Sequence, residues 1–214
     1  MTEQGYDLLA GLKERLAKPL PGSMAHEQMR AVPTGPLVPR FEHAQPPRPG
    51  SVLILLFPGE AGFSFPLIRR PDYGGTHSGQ VSLPGGKAEA GEDSVATALR
   101  EAWEEVGVPQ HQVEVVGTLS PFFVIPSNFM VTPVLGFTPV RPIFTADTVE
   151  VERILFGNLD DLIREDAVRE KEILAARRFP LRAPYFEIDG EVVWGATAMM
   201  LNELRVVLRE IVGK

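Results

Sequence analysis

"GGKAEAGEDSVATALREAWEEVGV", residues 85–108, is the stretch on which the fold turns. Val95, Ala98, Leu99, Ala102 and Val106 recur at spacings of three and four, which predicts a helix over 92–107 with one apolar stripe against a core. Glu92, Asp93 and Ser94 suit its N-terminus, and Gly107 suits its end. Beside the apolar stripe runs a second one of Glu101, Glu104 and Glu105, with Glu105 nearest the buried edge. Like charges one turn apart destabilise a helix. Arg100 can pair with Glu104, but one arginine does not balance three carboxylates and Glu92 as well. Two readings stand: a solvated acidic face, or a hard divalent cation held by carboxylate oxygens and completed by water and a substrate phosphate. On the second, Gly85 and Gly86 form a turn whose backbone approaches a metal or phosphate closely.

Strand patterns flank this helix. "SVLILLF" (51–57), "FSFPLIR" (63–69) and "GQVSL" (79–83) precede it; "QVEVVGTL" (112–119), "FMVTPVLGFT" (129–138) and "VEVERILF" (149–156) follow, with "IPSN" (125–128) a turn. "YFEIDGEVVW" (185–194) is a hairpin about Asp189-Gly190, and Met200, Leu204, Val207 and Ile211 mark a closing amphipathic helix over 196–212. Leu9, Leu12 and Leu16 mark another over 4–17. The proline-dense run 18–50 predicts an extended arm, ordered only where it lies on the domain or on a partner, so that a packing arm or a strap within a homodimer is its expected role. Residues 1–50 are therefore read as helix plus arm, and 51–214 as one α/β domain with a mixed sheet between helices.

Composition narrows the function. Apolar residues make up 44% and charged residues 23%, the mix of a soluble globular chain, and the net charge of −7 argues against a broad grip on nucleic acid or anionic lipid. The absence of cysteine excludes disulfides, thiolate catalysis and zinc–thiolate sites. No basic, apolar leader opens "MTEQGYDLLAG", and "VLILLF" is too short to cross a bilayer, so a cytoplasmic protein without membrane contact is expected.

The spacing from Gly86 is G-x5-E-x7-R-E-U-x-E-E-x-G-U, with U apolar: Gly86, Glu92, Arg100, Glu101, Glu104, Glu105, Gly107 and Val108, and a small Ala102 at the inner apolar position. In this the chain resembles the Nudix hydrolases. The resemblance implies an αβα sandwich and Mg²⁺- or Mn²⁺-dependent hydrolysis of a small-molecule nucleoside diphosphate derivative. It places Glu101, Glu104 and Glu105 on the metal, with the Gly85 carbonyl a further ligand, and makes Gly86, Glu92, Arg100 and Gly107 structural. The flanking "THSGQVSLPGGK" (76–87), "IPSNFMVTPVLGF" (125–137), "VVWGATAMML" (192–201) and "LPGSMAHEQM" (20–29) are similar to the coenzyme A diphosphatase branch, which yields 3′,5′-ADP and 4′-phosphopantetheine or its acyl forms.

The chain departs from that branch at Gly75, where an arginine is usual, at Pro71 after Arg70, and at Leu83 in place of Phe. Arg69, Arg70 and His77 are candidates for substrate phosphates, set against a solvent-facing strand end for the arginines and a loop-fixing hydrogen bond for His77. Glu150, ahead of Glu152, is the downstream candidate for metal ligand or general base, set against a solvated strand start. Trp103 and Trp194 read as packing residues rather than stacking platforms. An ADP-ribose or dinucleotide diphosphatase is the nearest alternative. A non-catalytic nucleotide sensor of the same fold is a further one, which would not require the full set of Glu101, Glu104 and Glu105.

Overall fold

The computed structural model describes residues 3–36, 40–72, 79–176 and 178–213, with the side chains of 3–6 left aside. In order they form α1 (Glu3–Leu16), α2 (Ser23–Glu27), β1 (Val32–Pro33), β2 (Arg48–Pro58), β3 (Phe63–Arg69), β4 (Val81–Ser82), β5 (Gly85–Lys87), α3 (Ser94–Val106), β6 (Glu114–Thr118), β7 (Phe122–Val124), β8 (Phe129–Phe137), β9 (Arg153–Asn158), α4 (Leu159–Leu162), β10 (Val168–Ala175), β11 (Phe179–Ile188), β12 (Glu191–Val193) and α5 (Gly195–Ile211).

Strand β2 is the spine. It pairs with β8 in parallel from Arg48↔Phe129 to Leu56↔Phe137, and every residue from Gly50 to Phe57 is buried. A strand covered on both faces reads as an unbroken apolar run rather than an alternation, which is what "VLILLF" is. Val52, Ile54 and Leu56 face one core with Leu201, Leu204 and Leu208 of α5 and Leu9 and Leu12 of α1. Leu53 and Leu55 face the other, with Ala98, Ala102 and Val106 of α3. The sheet, of order β4-β3-β2-β8-β6 with β5 on β2, β7 on β8 and β9 on β3, thus lies between helices, as expected. No helix among the described residues is long and apolar enough to cross a membrane.

A second sheet differs from expectation. It is antiparallel, of order β1-β11-β10 with β12 on β11, and its Asp189-Gly190 hairpin has both residues at positive φ, as foreseen. Strand β10, "VREKEILA", escaped prediction because it is mostly exposed and carries no apolar alternation; backbone pairing along its whole length with β11 holds it. Strand β9 starts at Arg153 rather than 149, because Asp147 caps a turn there, its carboxylate accepting from the Val149 and Glu150 N–H groups at 2.7 and 3.2 Å.

The proline-dense run also departs from an extended arm. It contains α2, whose Ala25 is buried together with Met29 just beyond it, and β1, which pairs with β11. The tie is Glu203 of α5. Its fully buried carboxylate accepts from the Gly22 N–H (2.9 Å), the Ser120 N–H (3.1 Å), Ser120 Oγ (2.6 Å) and His26 Nε2 (3.1 Å). Burial pushes the Glu203 carboxyl up, but the hydrogen bonds from His26, Ser120 and Gly22 outweigh it and leave its pKa lowered.

Glu203→Ala strands those donors in the interior. Each buried donor left unmade costs about 1–3 kcal/mol, so a loss of at least ~3 kcal/mol is expected in urea denaturation. A loss below ~1 kcal/mol would show that the arm is not held through this residue.

Candidate functional site

The site is the junction of β5 with α3. Asp93 caps the helix, accepting from the Ala96 N–H at 2.8 Å, and Gly107 ends it at φ 74°. Glu92 folds back just ahead of the helix: its Oε2 accepts from the Glu89 N–H at 2.9 Å and from Thr97 Oγ1 at 3.0 Å. Arg100 closes on the same carboxylate with both arms, Nε to Oε1 at 2.7 Å and Nη2 to Oε2 at 3.0 Å, and donates to the Lys87 carbonyl at 3.0 Å. Its remaining Nη1 reaches Glu104 at 2.9 Å and Glu101 at 3.0 Å. Hydrogen bonds from Arg100, then from the Glu89 N–H, hold the Glu92 carboxyl down to about 2. Arg100 therefore braces loop, helix start and two glutamates at once.

Gly85 and Gly86 lie in β5, antiparallel to β2 with Val52 opposite Gly85. A Cβ on Gly85 would stand 2.3 Å from the Ser51 carbonyl, and one on Gly86 would stand 2.6 Å from the carboxylate of Glu101. Gly86 lets this backbone pass directly under Glu101, in space that any side chain would fill, and Gly85 lets it lie close against β2.

Glu105 is the most buried of the acids, 2% exposed. Its Oε2 accepts from the Gly85 N–H at 2.7 Å and its Oε1 from Arg70 Nη2 at 2.9 Å; the same Nη2 donates to the Gly85 carbonyl at 3.3 Å. Burial, and then repulsion from Glu101 and Glu150, raise its pKa to about 7 against the pull of Arg70 and Gly85. Burial, ahead of repulsion from Glu104 and Glu150, also raises that of Glu101, in spite of Arg100. Glu150 is thus near enough for both to feel its charge, held by the Asp147 turn, whose N–H donates to the Glu105 carbonyl at 3.0 Å.

The charges are shared differently from the sequence expectation, which counted Arg100 alone. Arg70, 35 residues before Glu105, supplies the second cation. Glu104 turns outward to Arg100, its side chain 48% exposed. Among the described residues no group of three carboxylate or histidine side chains is gathered into a ready-made metal cluster. Arg69 points away, its Nη1 on Glu191 at 2.6 Å and its Nε near Glu152 at 3.2 Å, in an ion cluster that ties β3 to β12. His77 and Gly75 lie outside the described residues. Trp103, expected to pack, is 55% exposed on the outer face of α3, while Trp194 is half-buried before α5.

The NUDIX domain model matches residues 47–193. The Arabidopsis thaliana protein Nudix hydrolase 22, chloroplastic, is 36% identical over 162 residues, 72% of this chain and 53% of that protein, so the chain spans about half of that relative's length. The Photorhabdus laumondii Nudix hydrolase NudL is 32% identical over 139 residues, 64% of this chain and 73% of its own. Among solved structures, a Nudix hydrolase from M. smegmatis, RenU, superposes with a TM-score of 0.54 over 78% of this chain and 89% of its own; at 18% identity it is similar in fold.

A carboxyl whose pKa is raised by folding favours the fold while protonated. Glu105 therefore contributes most below its unfolded value near 4.5, and that contribution is lost as pH rises to about 7 and beyond. Its full size is on the order of 3 kcal/mol at most. Metal-free protein is expected to melt lower at pH 8 than at pH 5.5, and Glu105→Gln to flatten that slope. Equal slopes for the two proteins would overturn the assignment.

Proposed function

The chain belongs to the Nudix family, and from that premise we propose that it hydrolyses the diphosphate bond of a nucleotide derivative, with coenzyme A or an acyl-coenzyme A as substrate. The observation that carries the hydrolytic reading is the approach of two helix carboxylates to the glycines, Glu101 to Gly86 and Glu105 Oε2 to the Gly85 N–H at 2.7 Å, where ionised Glu101 raises the cost of ionising Glu105. Oxygen donors with mutual repulsion and a glycine-lined approach fit Mg²⁺ or Mn²⁺. We assign Glu101, Glu105 and the Gly85 carbonyl as ligands, with Glu104 released from Arg100 as a further one. The bound ion supplies neutralisation of the diphosphate oxygens and a water of lowered pKa.

The chain's own groups do the rest. Arg100 and Glu92 keep the carboxylates aimed by charge-assisted hydrogen bonds. To Glu150, exposed on the turn that Asp147 caps, we assign the proton of the attacking water, accepted at its carboxylate as the P–O bond forms. Water adds across the P–O–P bridge, which leaves two phosphate monoesters; from coenzyme A these are 3′,5′-ADP and 4′-phosphopantetheine.

The coenzyme A preference draws its support from the flanking segments, "HSGQVSLPGG", "IPSNF" and "WGATA". One observation favours a second reading: Arg69 is held by Glu152 and Glu191, so it adds no charge for a 3′-phosphate, and an ADP-ribose or dinucleotide substrate needs none.

Glu105→Gln is expected to lower kcat by at least ~100-fold at saturating Mg²⁺, the scale of a lost transition-state contact. Unchanged turnover would remove Glu105 from the machinery. Coenzyme A, dephospho-coenzyme A and ADP-ribose compared at one Mg²⁺ concentration decide the substrate. A coenzyme A advantage over its dephospho form of about tenfold or more in kcat/KM supports a charge-assisted 3′-phosphate contact, and best turnover of ADP-ribose would replace the branch assignment.

A further inference from the structure

The guanidinium of Arg70 occupies the space between two oxygens that the proposed function gives to a divalent ion. Its Nη2 bridges Glu105 Oε1 at 2.9 Å and the Gly85 carbonyl at 3.3 Å. Three separate elements meet at this atom: Arg70 follows the end of β3, Gly85 begins β5, and Glu105 sits in the last turn of α3. The second oxygen of Glu105 is already taken by the Gly85 N–H at 2.7 Å, so Oε1 is the one left for a cation. A carboxylate 2% exposed cannot be left without a partner, and Arg70 is that partner.

A divalent ion that takes Oε1 and the Gly85 carbonyl contends with the guanidinium at both atoms. The two cannot share them, because unit charges about 4 Å apart at a partly buried site already interact by several kcal/mol, and here one partner carries two. One of them leaves. The Arg70 side chain is 22% exposed and has a path to solvent, whereas the Glu105 side chain is buried and its Oε2 stays on the Gly85 N–H.

We propose that Arg70 is an exchangeable counter-ion. In the metal-free protein it holds the Glu105 carboxylate and the Gly85 carbonyl in place; the divalent ion displaces it; and the freed guanidinium turns to the phosphate oxygens of the substrate. Arg70 is then a positioning residue before metal loading and a substrate contact after it, which couples the two binding events in the same direction. This rests on the reading of Glu105 and Gly85 as metal ligands.

The experiment uses the whole chain. Mg²⁺ binding is measured by calorimetry for wild type, Arg70→Gln, Arg70→Lys and Glu105→Gln, and the arginine side-chain ¹⁵N resonance absent from the lysine variant is followed through a Mg²⁺ titration of wild type. Exchange predicts that this resonance loses its protection as Mg²⁺ binds, and that Arg70→Gln tightens the Mg²⁺ Kd by about tenfold or more, the scale of one charge-assisted hydrogen bond. Arg70→Lys, which keeps the charge without the fork, is expected to fall between. A resonance unchanged at saturating Mg²⁺, or Mg²⁺ binding no tighter in Arg70→Gln, overturns the exchange while a Glu105→Gln protein that has lost Mg²⁺ keeps the metal assignment intact. If Glu105→Gln binds Mg²⁺ as wild type does, the metal assignment fails and the exchange with it. Should Arg70→Gln fail to fold, the wild-type resonance decides.

Discussion

The rest of this structure depends on the cost of keeping Glu105 in the interior as an anion. A buried carboxylate demands a compensating charge and donors of fixed position. The chain supplies them from Arg70 at the end of β3 and from the Gly85 N–H at the start of β5. Those two contacts lock a strand end, a glycine loop and a helix into one arrangement. Arg100 repeats the device at the other end of the loop by joining Glu92, the Lys87 carbonyl, Glu101 and Glu104. The acids that a soluble helix would ordinarily shed are what fix the loop's geometry.

That local demand is met only because the sheet is covered on both sides. β2 carries Leu53 and Leu55 to α3 and Val52, Ile54 and Leu56 to α5 and α1, so α3 rests on a surface that does not yield. β5 pairs with the same strand, which sets the height of Gly85 and Gly86 beneath Glu101 and Glu105. One strand thus determines where the helix sits and where the loop passes under it.

Features decided within one or two turns of chain were legible in the sequence: the apolar stripe of α3, its end at Gly107, the Asp189-Gly190 hairpin and the pairing of Arg100 with Glu104. Features decided by a distant partner were not. Nothing near Arg70 announces Glu105, and the proline-dense run hides α2 because its burial depends on α5. β10 is held by backbone pairing, which leaves no side-chain signature, and the apolar Trp103 stands in solvent against its type. Arg100 shows its pairing on the helix itself, whereas Arg70, the second cation, comes from just beyond the end of β3.

The clasp of Glu203 on His26 and Gly22 bears on how the molecule comes to exist. It joins residues 177 and 181 positions apart, and α1 packs on α5 within the same core. Contacts of such long range carry a high entropic cost of loop closure and slow the approach to the native state. During synthesis Leu9 and Leu12 leave the ribosome long before the helix that covers them. The nascent chain must therefore carry α1 without its cover until α5, about 180 residues further on, has been made.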